Sequence, residues 1–140
     1  MAAERFIYIV DDDPAIRRSL ERLMDAVGFQ VASYATPKAF LDVAGSLLGG
    51  CVLLDLRMPE MDGFEVHARL RSINPDLPVI VVTAQGDVQT AVRAMKAGAV
   101  DFIEKPYGDD ALIAAIESAL KTSAARGRTD DIAMAAELIN

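Results

Sequence analysis

Apolar runs and polar breaks alternate along the chain with regular spacing. Phe6-Ile7-Tyr8-Ile9-Val10 is β-branched and aromatic with no polar interruption, which predicts a strand buried on both faces. Asp11-Asp12-Asp13-Pro14 ends it, with Asp13 placed to cap a helix whose first position is Pro14. Ile16, Leu20, Leu23 and Val27 then recur at helical spacing up to a stop at Gly28. Gln30 to Tyr34 predicts a second strand. Thr36-Pro37 repeats the cap-plus-proline start of a short helix carrying Ala39, Phe40 and Val43. Val52 to Leu54, preceded by Gly49-Gly50-Cys51, predicts a third strand as apolar as the first. Asp62-Gly63 starts a helix to Ile73, with Val66, Leu70 and Ile73 inward, closed by Asn74-Pro75. Val79-Ile80-Val81-Val82 predicts the fourth strand. Asp87 can cap a helix with Val88, Ala91, Val92 and Met95 on one face, stopped at Gly98. Val100 to Ile103 predicts the fifth strand, and Leu112, Ile113, Ile116 and Leu120 mark a last helix.

Five strands alternating with five helices predict an α/β fold, a single doubly wound parallel sheet with helices on both faces. From about Thr122 the character changes. Ser123 to Arg128 is small and basic like a linker, and the following residues carry only Ile132, Leu138 and Ile139 as apolar positions besides alanines and a methionine. The expected division is a domain over 1–122 and a linker or C-terminal tail over 123–140.

Composition narrows the class more than the activity. The chain has 140 residues, 52% hydrophobic and 25% charged, as ordinary globular domains do. No apolar stretch has membrane-spanning length, and the start runs directly into a strand pattern, so no signal peptide is expected. The single Cys51 suits a reducing cytoplasm and reads as a small core residue. A net charge of −7 argues against nucleic-acid binding by this chain. His67, the one histidine, lies among Glu65, Arg69 and Arg71 and is expected to be exposed and not a ligand.

Candidate chemistry collects at the carboxyl ends of the strands. Asp11 and Asp12 follow the first, Asp55 ends the third, Thr83 follows the fourth and Lys105 follows the fifth. In a parallel sheet these ends share one edge, where open α/β sheets bind ligands. Carboxylates a few ångströms apart repel by roughly 4 kcal/mol per pair near a surface, which a divalent, oxygen-preferring cation such as Mg2+ would relieve. Asp55 can then act as a nucleophile toward a phosphoryl group, with Thr83 as a hydroxyl donor and Lys105 as a point charge. A phosphatase with an aspartyl intermediate needs a second carboxylate two residues on, where the chain has Arg57. Flavin binding needs a glycine- and hydroxyl-rich loop after the first strand, where it has three aspartates. A constitutive interaction module on the same fold remains an alternative.

The stretches Val10-Asp11-Asp12-Asp13, Leu54-Asp55-Leu56-Arg57-Met58-Pro59-Glu60-Met61-Asp62-Gly63, Val82-Thr83-Ala84 and Phe102-Ile103-Glu104-Lys105-Pro106 together resemble a response-regulator receiver domain of the CheY-like superfamily. Ala94 to Phe102 further resembles its FixJ-like subgroup. The resemblance implies the flavodoxin-like strand order 2-1-3-4-5, and Asp55 as the phosphoacceptor for the phosphohistidine of a sensor kinase. It implies Asp11, Asp12, Asp55 and the backbone carbonyl of Arg57 as Mg2+ ligands, with Thr83, its neighbour Ala84 and Lys105 around the phosphoryl group. It also implies a cis Lys105–Pro106 bond and Thr83 with Phe102 as the switch pair. Output would pass by dimerisation through the region from Met95 to Glu104, in a cytoplasmic two-component system that controls transcription. On this reading the chain is no enzyme beyond its own phosphorylation and dephosphorylation, and Arg57 and Gln85 would tune how long the phosphoryl group survives.

Overall fold

The computed structural model describes residues 5–84 and 86–121. Gln85, the expected linker or tail and its apolar positions lie outside the described residues. The strands β1 (Phe6–Val10), β2 (Gln30–Tyr34), β3 (Cys51–Leu54), β4 (Val79–Thr83) and β5 (Asp101–Glu104) alternate with α1 (Pro14–Val27), α2 (Pro37–Ala44), α3 (Gly63–Ile73) and α4 (Val88–Lys96). A fifth helix, α5, runs over 109–121. All pairings are parallel, and the order across the sheet is β2-β1-β3-β4-β5.

The period of two along each strand divides the core. Tyr8, Val10, Val52, Leu54, Val79 and Val81 face Phe40 of α2, Val66 and Leu70 of α3 and Ala94 of α4. Ile7, Ile9, Cys51, Leu53, Ile80 and Val82 face Leu20 and Met24 of α1 and Leu112 and Ile116 of α5. A strand covered on both faces needs apolar residues at every position, which is why β1, β3 and β4 read as unbroken runs. Helix starts follow from side-chain caps: Asp13 accepts from the Ala15 amide, Thr36 from Ala39, Asp62 from Glu65 and Asp87 from Thr90.

Three expectations need correction. β5 lies one residue later than the apolar run suggested, because Asp101 pairs with Ile80 while Val100 only joins the sheet through its amide to the Val79 carbonyl. Ile73 is not inward: it is 45% exposed at the end of α3, where its γ-methyl leans toward Gly45. His67 is not exposed: it is 2% accessible. Gly63, Val66, His67 and Leu70 form one stripe at helical spacing, so His67 belongs to the buried side despite its charged neighbours.

The apolar face of α4 points outward. Only Ala94 of that helix is buried, while Val88, Val92 and Met95 are 78%, 45% and 46% exposed.

Candidate functional site

The carboxyl ends of β1, β3, β4 and β5 converge as the sheet order requires. Asp55 leaves β3 directly beside β1, its amide donating to the Val10 carbonyl at 3.1 Å. Asp11 continues β1 and donates its amide to the Tyr34 carbonyl at 3.2 Å. Carboxylate oxygens of Asp11, Asp12 and Asp55 lie within 4.8 Å of one another. Asp11 and Asp55 are buried and Asp12 is exposed, so the cluster opens to solvent on one side.

Lys105 bridges this cluster from β5. Its Nζ donates to Asp11 Oδ2 at 2.9 Å and lies 3.6 Å from Asp55 Oδ2. Its amide donates to the Thr83 carbonyl at 2.9 Å, which ties the lysine to the end of β4. The Lys105–Pro106 bond is cis, as the resemblance implied. Thr83 is fully buried, and its side chain hydrogen bonds to Asp55. Ala84 is exposed at the rim. Phe102 is half-buried against the core cluster of the α2–α3–α4 face.

Burial pushes the Asp55 carboxyl above the usual carboxylate range. Lys105 opposes this, Asp11 adds to it, and hydrogen bonds from the Arg57 amide and Thr83 oppose it again. The anion is thus held in a place that disfavours it, with one cation shared between two carboxylates. Such a carboxylate gains from any further positive centre brought to it. Three hard oxygen donors at this separation could hold a metal ion.

The loop after Asp55 is set by close packing. Leu56 and Met58 are buried, and the Gly63 amide donates to the Leu56 carbonyl at 2.9 Å. A β-carbon at position 63 would lie 2.5 Å from the Asp55 carbonyl oxygen and 2.6 Å from the Leu56 Cα. Glycine lets the start of α3 press against the backbone of Asp55.

Two contacts were not visible in the sequence. Arg17 Nη1 donates to the Asp11 carbonyl at 2.8 Å. Arg93 of α4 stacks over the Phe64 ring of α3, its guanidinium carbon 3.8 Å from the centroid. An arginine six residues after Asp11 was the available signal for the first. The second depends on how two helices lie side by side, which no local pattern reports.

Residues 7–117 match the family model of the response regulator receiver domain. The chain belongs to this family. It is 44% identical over 133 residues to the transcriptional regulatory protein FixJ of Bradyrhizobium diazoefficiens, covering 95% of this chain and 65% of that protein. The chain therefore spans just under two thirds of that relative's length. Among solved structures it resembles the FixJ-N crystal structure, at 45% identity and a TM-score of 0.78 over 83% of this chain and 93% of that one. It also resembles a beryllofluoride-activated NtrC4 receiver domain dimer, at 30% identity and a TM-score of 0.80 over 85% and 98%. This receiver is a domain of two-component response regulators, and among its described residues no helix is long and apolar enough to cross a membrane.

Proposed function

We propose that this receiver takes a phosphoryl group onto Asp55 from the phosphohistidine of a sensor kinase. The observation that carries the reading is Lys105, placed 2.9 Å from Asp11 and 3.6 Å from Asp55, with the Thr83 side chain on the same carboxylate. An Asp55 oxygen attacks phosphorus, the P–N bond to the imidazole breaks, and the leaving nitrogen takes up a proton. Lys105 exchanges its carboxylate contacts for the phosphoryl oxygens, and Thr83 donates its hydroxyl to one of them. Asp11, Asp12 and Asp55, with the Arg57 carbonyl, would hold Mg2+, which when bound supplies neutralisation of the charge gathered there. Ala84 at the rim leaves room beside the group. The chemistry ends on the protein itself, because Arg57 stands two residues after Asp55, where a hydrolase acting on other substrates would carry an acid.

The readout is a two-state change in which Thr83 and Phe102 move together and the α4–β5 face alters. Homodimerisation through Met95 to Glu104 is supported by the outward apolar stripe of α4. Ala91, Val92, Met95 and Lys96 line a shallow cleft of 410 Å³. Control of transcription is supported by the likeness to the transcriptional regulatory protein FixJ, and a cytoplasmic location fits the receiver family.

Phosphorylation with acetyl phosphate and Mg2+, followed by phosphate-affinity electrophoresis, tests the site. Wild type should shift and Asp55→Asn should not; a shift in both would refute it. Sedimentation equilibrium with beryllofluoride tests the readout, and Val92→Asp should leave the activated protein monomeric.

A further inference from the structure

Asp11 is held at four atoms. Its amide donates to the Tyr34 carbonyl at 3.2 Å, Oδ1 accepts from the Asp13 amide at 3.0 Å, Oδ2 accepts from Lys105 Nζ at 2.9 Å, and its carbonyl accepts from Arg17 Nη1 at 2.8 Å. These contacts have different fates when the site works. Lys105 must leave Asp11 to reach a phosphoryl oxygen. The two carboxylate oxygens are the atoms a divalent cation would compete for. The amide and carbonyl of Asp11 are drawn on by neither. Of the contacts on those two atoms, the Tyr34 bond merely extends the β1–β2 ladder. The Arg17 bond is the one made by a side chain, and it comes from α1.

Arg17 is well placed for this. Its own amide closes the first turn of α1 on the Asp13 carbonyl at 3.0 Å, so its Cα is fixed relative to the acidic loop. The side chain then turns back across that loop to Asp11. A peptide carbonyl held toward α1 fixes the rotation of the Asp11–Asp12 peptide plane, and with it the directions in which the two side chains leave the backbone.

We infer that Arg17 is a positioning residue for the acidic edge: through the Asp11 carbonyl it keeps the Asp11 and Asp12 carboxylates aimed at Asp55 after Lys105 has moved away, and so sets the affinity for the divalent cation. The inference rests on the receiver reading of the site. Partners one layer behind metal ligands commonly govern affinity in this way.

Titration calorimetry of the metal-free protein with Mg2+ tests it, with thermal unfolding in EDTA run alongside. Arg17→Ala should weaken Mg2+ binding about tenfold. Phosphorylation by acetyl phosphate should need correspondingly more Mg2+, yet reach a rate within about twofold of wild type at saturation. Arg17→Lys, which can still donate once to a carbonyl, should recover part of the affinity. If Arg17→Ala does not fold, Arg17→Gln carries the same comparison. Unchanged Mg2+ affinity with only a lowered unfolding temperature would overturn the inference and leave Arg17 as a brace for α1. A wild-type protein that binds Mg2+ and accepts phosphate while Arg17→Ala matches it refutes Arg17 alone. A wild type that does neither refutes the receiver reading as well.

Discussion

Arg93 lies over the Phe64 ring, 3.8 Å from guanidinium carbon to ring centroid. Phe64 directly follows Gly63, which abuts the Asp55 and Leu56 backbone, so this stack joins α4 to the segment that follows Asp55. A second arginine works in the opposite direction. The Arg71 guanidinium of α3 fills the place a β-carbon would take at Gly98, just past α4, where φ is +109°. With Ala94 as its one buried residue, α4 is held to the body largely along its flank.

Removal of that stack should free α4 before it unfolds the protein. A stack of this kind contributes about 0.5–2 kcal/mol. Arg93→Ala should therefore speed amide hydrogen exchange over Val88–Lys96 several-fold, while α1 and the central strands keep wild-type protection. Uniform acceleration across the domain would show instead that α4 opens only with global unfolding.

Asp55→Asn should stabilise the metal-free protein while abolishing phosphorylation. Burial and the neighbouring Asp11 disfavour the Asp55 anion, and an amide removes that charge at nearly constant volume. Urea unfolding in EDTA should show a gain of about 1 kcal/mol at neutral pH. A lower midpoint than wild type would mean that the shared Lys105 contact outweighs the repulsion.

His67 should make stability depend on pH. Burial, then the nearby Arg71 charge, lowers its pKa from the ordinary 6.5. The unfolded chain therefore binds a proton more readily than the folded one. Stability is fully present above 6.5 and falls as pH drops from there through the lower folded value. Denaturation midpoints at about pH 7.5 and about pH 5.5 should differ more for wild type than for His67→Gln. Equal differences would assign the acid sensitivity to the carboxylates instead.

Gly63→Ala should damage both fold and site. The added methyl meets backbone at 2.5 and 2.6 Å, which cannot move as a side-chain tip could. Overpacking of this kind costs about 1–3 kcal/mol. Circular dichroism melts should show the loss, and phosphorylation of the folded fraction should slow because the Asp55 carbonyl is displaced. A normal melting temperature would show that α3 can slide outward freely.

Much of this architecture was legible because each local signal agreed with the global fold. The unbroken apolar runs of β1, β3 and β4 are a direct consequence of burial on both faces, and caps at Asp13, Thr36, Asp62 and Asp87 marked helix starts that the structure repeats. Parallel strands alone put Asp11, Asp12, Asp55, Thr83 and Lys105 on one edge of the sheet, and the adjacency of β1, β3, β4 and β5 brings them together. Burial along α3 and α4 was less readable. His67 took the character of its charged sequence neighbours, although its three- and four-residue neighbours, Gly63 and Leu70 among them, are the ones that share its face. On α4 the apolar stripe gave no sign of pointing away from the core, since amphipathicity defines a face and not what covers it. The Arg17 and Arg93 contacts depend on side-chain paths between elements, which spacing does not encode.

β2 ends the sheet on one side, and none of the converging carboxylate, hydroxyl or lysine groups comes from it. The site draws instead on its four companions. This asymmetry makes the β2–α2 flank the natural place to engineer. Leu48, 94% exposed in the link between α2 and β3, is a position where a fluorescent reporter could be grafted while the chemistry on the other side of β1 is left alone.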